Sequence, residues 1–547
     1  MHGPSLNRIG IATLLAALLA SCGGSSNSPS PPPPSEPPPP APPSFDPHYR
    51  VSAASPFAAG CEGETQTGSA FVNAEVEPHL SISPLDGNHL VGLWQQDRWS
   101  NGAARGLVSA VSRDGGLSWT RQAMAFSRCG GGNAGNGGDY LRATDPWLSF
   151  GPDGVLHAMS LSISGSSFQA GSKNAMLAAR STDGGLTWSN AATLILDGSG
   201  FFNDKNAITA DPTDARYVYA VWDRLSAGGG GPAMLARSSD GGLSWEPARA
   251  IYDPGINAQT IGNVIAVLPD GSLLNLMTVI DGSSGQNRSS LAVLRSTDKG
   301  VTWSAPIPIS DLLAIGASDP ETGTAIRDGS ILAQIAVAPS GAVLVVWQDA
   351  RFSGGVRDGI ALSLSQDGGL TWSAPQRVNR SPGVTAFMPK VHVRSDGMVG
   401  VTHFDLRSNT SSPANLPTDY WLVRSQDLST WVENRVAGPF DLATAPNANG
   451  LFVGDYMGLE SRGNVFVPFF VQANDGNTGN RTDVFAAPQV SVVSQVQQAQ
   501  KQAVVGDVAP DPAWRARIDA NIRRQIEQRV PGWLQRVEAA RKEGAGG

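Results

Sequence analysis

Acidic and basic residues recur together where apolar runs of this 547-residue chain end or begin. Four runs end in an acid followed closely by an arginine: Trp94-Gln-Gln-Asp97-Arg98-Trp99, Trp222-Asp223-Arg224, Trp347-Gln-Asp349-Ala-Arg351 and Phe404-Asp405-Leu-Arg407. Other runs open on Glu77, Asp145, Asp204-Lys205, Pro389-Lys390 and Asp455-Tyr456. Carboxylates can donate and accept protons, and an arginine fork reads a planar carboxylate bidentately, so these residue types suit an acidic ligand. On that reading Glu77, Asp145 and Asp204 are acid/base candidates, and Asp97, Arg98, Trp99, Arg224, Arg351, Lys390 and Arg407 are binding candidates. Trp99 lies beyond its run, where its ring could stack on a sugar face. The competing reading makes each Asp–Arg pair an internal salt bridge or turn cap.

Other chemistries find no pattern. There is no Cys/His spacing of the zinc kind, no His-Glu-x-x-His and no Gly-x-Ser-x-Gly placed before a helix. The glycine runs 228–231 and 130–138 have no helix after them, so they read as loops and not as phosphate cradles. No metal and no cofactor is expected. Lys and Arg number 39 against 47 Asp and Glu, a net charge of −8, which argues against a nucleic-acid partner. His157 and His403 fall inside apolar runs and read as core residues.

The elements that carry these residues follow from a repeat. Ser-x-Asp-x-Gly-x-Ser/Thr-Trp occurs at Ser112–Trp119, Ser181–Trp188, Ser238–Trp245, Ser296–Trp303 and Ser365–Trp372. A shortened copy, Ser425–Trp431, lacks the glycine. Each copy follows an alternating apolar stretch, so it reads as the turn leaving a β-strand. The motif resembles the Asp box, or bacterial neuraminidase repeat, of sialidases and related β-propellers. That resemblance implies an all-β propeller. Seven strand starts (Glu77, Asp145, Asp204, Gln259, Gln334, Pro389 and Asp455) favour seven blades, with six the alternative. A strand at Tyr49–Ala54 is expected to complete the last blade, which has no box.

Propeller topology places innermost strand starts and second-strand ends round one mouth of the central channel, with the box turns on the opposite face. The acids and arginines above would therefore converge. The sialidase resemblance implies a Tyr nucleophile paired with a Glu, for which Tyr456 is the candidate, together with arginines that hold a substrate carboxylate. Those arginines would be Arg98, Arg224 and Arg351. The Arg-Ile-Pro motif of sialidases does not occur in this chain. The implied activity is a glycoside hydrolase or lyase acting on an acidic saccharide; the alternative is a propeller that binds a glycan or protein without chemistry.

The ends of the chain read differently. Arg8, the apolar Ile9–Ala20 and Leu19-Ala-Ser-Cys22-Gly23 resemble a lipoprotein signal with its lipobox, which implies lipidation of Cys22 and a membrane partner. Gly23 after that cysteine implies delivery to the outer membrane if the envelope has one. Domain boundaries are accordingly set at 1–22 for the signal, 23–47 for a Pro/Ser-rich linker, 48–492 for the propeller and 493–547 for a C-terminal helical segment. Cys61 and Cys129 remain, either as a disulfide suited to an oxidising compartment or as two free thiols. Trp514, Ile518, Ile522, Ile526 and Val530 recur every four residues, predicting a helix over Asp511–Glu543 that breaks at Pro531. It reads as a packing helix or as one that binds a partner or lipid.

Overall fold

The computed structural model describes residues 48–488 and 503–544. The expected signal, Cys22, the linker 23–47 and residues 489–502 lie outside the described residues.

Each repeated turn is built from its own side chains. Asp114 Oδ1 accepts the N–H groups of Leu117 (3.0 Å) and Ser118 (2.9 Å), and Oδ2 accepts the Ser118 hydroxyl at 2.6 Å. Ser112 Oγ accepts the Gly116 N–H at 2.8 Å. Gly115 and Gly116 sit at φ of 77° and 95°, which explains why glycine recurs there. The same bonds appear around Asp183, Asp240 and Asp367, and Asp298 likewise accepts the N–H and hydroxyl of Thr302. In the shortened copy Leu428 takes the left-handed backbone at φ 58°, and Asp427 still accepts the N–H groups of Ser429 and Thr430.

These carboxylates make acid stability testable. Hydrogen bonds from the Ser244, Thr302 and Thr371 hydroxyls, and then from the same residues' N–H groups, hold Asp240, Asp298 and Asp367 at about 2. A carboxyl group depressed in the folded state stabilises it above the unfolded value of about 3.9 and loses that contribution as pH falls towards 2. Thermal melts of the wild type should therefore fall more steeply from pH 4 to pH 2 than those of the triple variant D240N/D298N/D367N. Equal slopes would remove these turns from the acid response.

The chain is all-β apart from two C-terminal helices and two short 3₁₀ turns among the described residues. Antiparallel strands follow one another in groups of four, beginning with Ala70–Ile82, Leu90–Trp99, Ala104–Ser112 and Thr120–Met124. The first strands of the next groups are Arg142–Phe150, Phe201–Ala210, Ala258–Val267, Gln334–Val337 and Ala386–Val393. In the last group Gly458–Arg462, Val465–Ala473 and Thr482–Ala486 are joined by Tyr49–Arg50, which pairs with the outer edge as Tyr49↔Ala486 and Arg50↔Phe485. The strand anticipated at Tyr49–Ala54 is thus two residues long. Each of these seven first strands packs against the next, and Gly458–Arg462 packs against Ala70–Ile82.

Large apolar side chains fill the space between neighbouring groups. Trp94, Trp222 and Trp347 are fully buried, and Trp119 lies 5.8 Å from the Phe469 ring of the last group. Close approach there requires Gly92, since a Cβ at that position would stand 2.3 Å from Phe469 Cζ. Cys61 and Cys129 are joined as a disulfide, tying the segment before the first group to the glycine-rich loop.

The C-terminal segment crosses these groups. Ala503 and Val505 bond to Arg377 and Pro375 at the edge of the fifth. Asp511 then caps α1 (Pro512–Arg529), its carboxylate accepting the Trp514 N–H at 2.8 Å. Pro531 and Gly532 separate α1 from α2 (Trp533–Gly544). The apolar stripe of α1 is buried in the same core cluster as Leu313, Ile331 and Tyr456, so the helix packs on the sheets.

Candidate active site

Five first strands share a local irregularity that sequence alone did not show. Their pairing slips between Val76 and His79, Thr144 and Trp147, Asp204 and Ala207, Ile261 and Val264, and Phe387 and Lys390. Each slip is a β-bulge with one residue in the left-handed region: Glu77 (φ 53°), Asp145 (52°), Lys205 (50°), Gly262 (68°) and Met388 (55°). A bulge re-aims a side chain, and non-glycine residues at positive φ cost about 1–3 kcal/mol each, so such strain is concentrated where geometry matters. Three of the five bulges present a charge.

Those three charges meet. Lys205 Nζ lies 2.6 Å from Asp455 Oδ2, 3.2 Å from Asp145 Oδ1 and 3.5 Å from Glu77 Oε1. Arg327 approaches Asp455 from the other side, with Nη2 2.8 Å from Oδ2. The backbone N–H of Lys205 faces both Asp145 Oδ2 (3.2 Å) and Asp204 Oδ1 (3.0 Å). The two carboxyl groups therefore flank a single donor.

Their environments push them apart. Burial raises Asp204, outweighing Arg529 and Lys205, whereas Asp145 is lowered because Lys205 overcomes the burial penalty. Burial likewise pushes Glu77 well above the usual carboxylate range despite Lys205. It opposes ionisation of Asp455 too, but Arg327 and then Lys205 hold that carboxyl well below the range. Two adjacent carboxyl groups with opposed shifts are the arrangement that separates an acid from a base.

This pair lines a cavity of about 640 Å³. Arg98, Asp145, Asp204, Lys205, Arg327 and Arg529 are among its lining residues. One wall is the disulfide-tied segment with Gln66 and Thr67, held by Arg142, which donates to Gln66 Oε1 at 3.1 Å and to the Thr67 carbonyl at 2.8 Å. Gln528 and Pro531, beside Arg529 at the end of α1, also line the cavity. Arg98 is the least committed cation. Its Nη1 donates to Gln95 Oε1 at 2.7 Å, its Nε is buried without a hydrogen-bond partner, and both it and Arg327 stack on the Phe452 ring. Burial and then Arg327 lower it to about 10, still a cation at neutral pH.

The sequence-derived candidates separate into two sets. Asp145, Asp204 and Arg98 line the cavity, and Glu77 lies behind them, bonded by Gln95 and close to Lys205. Tyr456 is buried behind Asp145, its hydroxyl donating to the Pro146 carbonyl at 3.0 Å and its ring against Trp147. Burial and then Glu77 raise its phenol well above the usual value.

The remaining candidates are not brought to the cavity, because each is consumed elsewhere. Arg224 pairs bidentately with Asp197, and Arg351 with Asp349. Arg407 is held between Asp405 and Glu433 over the Trp421 ring. Asp97 bonds Arg105 and the Asn73 N–H. Trp99 is stacked under Arg142 and buried. Lys390 donates to Gln334 beside Trp147.

Two contributors had no sequence signal. Arg327 lies in an irregular stretch between strands, and Arg529 is the last residue of α1, outside the apolar stripe that marks the helix in sequence.

No family model matches the chain. Among solved structures it is similar to a protein of unknown function from Dyadobacter fermentans DSM 18053, with 17% identity over 76% of this chain and 93% of that one, at a TM-score of 0.42. The Hadza microbial sialidase Hz136 shows 16% identity over 73% of both chains, TM-score 0.42. An alpha-L-arabinanase from Penicillium chrysogenum, solved with arabinobiose, shows 15% identity over 64% of this chain and 96% of that one, TM-score 0.41.

Proposed function

We propose that the chain is a seven-bladed, sialidase-like Asp-box propeller that acts on an acidic saccharide as a glycoside hydrolase or lyase. The cycle of contacts among the seven first strands supports the closed ring, and the Asp-centred turns support the Asp-box assignment. The observation that carries the activity is the Asp145–Asp204 pair, which flanks the Lys205 N–H in the lining of a polar cavity and has opposed proton affinities. Asp204 is the proton donor to the leaving oxygen or the proton carrier in an elimination, and Asp145 is its ionised counterpart. Arg98 reads the saccharide carboxylate. Glu77 and Asp455 hold Lys205 in place, and Tyr456 braces the Asp145 bulge.

The test is turnover of a panel of sialosides and uronic-acid oligosaccharides, followed by mass spectrometry. D145N and D204N should each lower kcat by about 100-fold or more, and R98M should raise KM for acidic substrates only. One feature favours a second reading: both carboxyl groups already face internal cations, as a rigid binding surface would have them. Saccharide binding by folded protein without product from any substrate, unchanged in D145N, selects that binding platform over the enzyme.

The same proposal includes a lipid tether at Cys22, supported by the lipobox-like residues Leu19–Gly23. Cys22→Ser protein should leave the membrane fraction and remain folded. If it stays in the membrane pellet, the anchor lies elsewhere.

A further inference from the structure

α1 does more at the cavity than its apolar stripe requires. Ile518, Ile522, Ile526 and Val530 already bury the helix against the sheets. Arg529 nonetheless turns inward, with Nε 2.8 Å from Asp204 Oδ2 and Nη2 3.0 Å from Asp223 Oδ2, across 325 positions of chain for the first contact. Its Nη1 is buried with no hydrogen-bond partner. Burying a guanidinium is costly, so the position needs an electrostatic reason. That reason is Asp204, whose Oδ1 takes the Lys205 N–H while Oδ2 takes Arg529. One step back in the helix, the Gln528 carbonyl accepts Arg327 Nη1 at 3.2 Å.

We propose that α1 is a built part of the site and that Arg529 is its positioning residue, holding the Asp204 carboxyl against Lys205 and Asp145. This rests on the cavity being the saccharide site. The charged groups around Asp204 are Arg529 from α1, Asp223 on the adjacent strand, Lys205 beside it, Asp145 from the preceding sheet, and Arg327. Arg529 is the strongest of those that oppose the burial penalty on Asp204. Without it, Asp204 keeps its proton to higher pH and loses one of its two anchors.

Two variants test this, R529M and R529Q, the second retaining donors without the charge; thermal melts establish that each is folded. Both should lose at least tenfold in kcat, and the pH-profile limb belonging to Asp204 should move up by about one to three units. R529K should restore most of the rate, and added guanidinium ion should recover part of it in R529M. An unchanged pH profile overturns the proposal, as does a rise in turnover, which would make α1 a plug. A readout independent of substrate is infrared titration of protein carrying ¹³C-labelled aspartate, with the Asp204 carboxyl band assigned through D204N. If no saccharide is turned over yet that band titrates higher in R529M, the function falls and the positioning stands. If the band does not move, the positioning falls whatever the turnover.

Discussion

Replacing Lys205 by methionine should destabilise the folded chain by about 4 kcal/mol, the scale found when one partner of a buried ion cluster is removed. The ammonium is 5% exposed and lies within 3.5 Å of three carboxyl groups, each of which is also nearly fully buried. Asp455 would keep Arg327, but Asp145 would lose its main cationic partner. Left beside an apolar side chain, Asp145 should take up a proton far more readily. The sign of the pH dependence follows. A carboxyl group raised in the folded state favours folding at low pH, so the K205M deficit should shrink between pH 8 and pH 5. Urea midpoints at the two pH values read this directly. A deficit that is equal at both would mean that Lys205 acts by packing and not by charge. The double variant K205M/D145N should recover part of the loss, because it removes the stranded carboxylate together with its counterion.

Trp514→Ala is expected to have an effect of comparable size, at about 3–5 kcal/mol of local docking energy for a buried aromatic ring. The ring is 3% exposed and lies over Gly355, where a Cβ would stand 2.3 Å from Trp514 Cγ. Its indole N–H donates to the Leu313 carbonyl at 3.4 Å. Loss of the ring opens a void at the start of α1, and the helix should release before the sheets do. Limited proteolysis should then trim the C-terminal segment while the remainder resists cleavage. Released α1 also takes Arg529 away from Asp204, so the saccharide turnover proposed for this cavity should fall with the same dose dependence on protease. A C-terminal segment as protected as in the wild type would show that α1 is held by Arg529 and its neighbours without Trp514.

The local architecture was legible in the residues. The hydrogen bonds of each Asp-centred turn span at most four positions, so Ser-x-Asp-x-Gly-x-Ser/Thr-Trp carries its own geometry. The break at Pro531 and the buried stripe of α1 follow equally from short-range rules, proline geometry and helical periodicity. The expected strand starts match unevenly: Gln334 coincides with its strand's first residue and Gln259 is one residue late, Asp455 precedes the strand at Gly458, and the charged positions fall late, Glu77 after a start at Ala70 and Asp145 after one at Arg142. The charged bulge interrupts the alternation that marks a strand, so the pattern resumes only beyond it.

Charge partners were a different matter. Of the four Asp–Arg pairs that look alike in sequence, Asp349–Arg351 and Asp405–Arg407 close on themselves. Asp97 is taken by Arg105, and Asp223 by Arg529 from the far end of the chain. Residue type and spacing could nominate these groups, but an ion pair depends on separation through space and on loss of water, and both are set by how the sheets and α1 come together. The chain therefore specified by itself the turns, the strands and the helix that build the frame. Only the packed structure decided which acids and arginines neutralise one another and which are left facing the cavity.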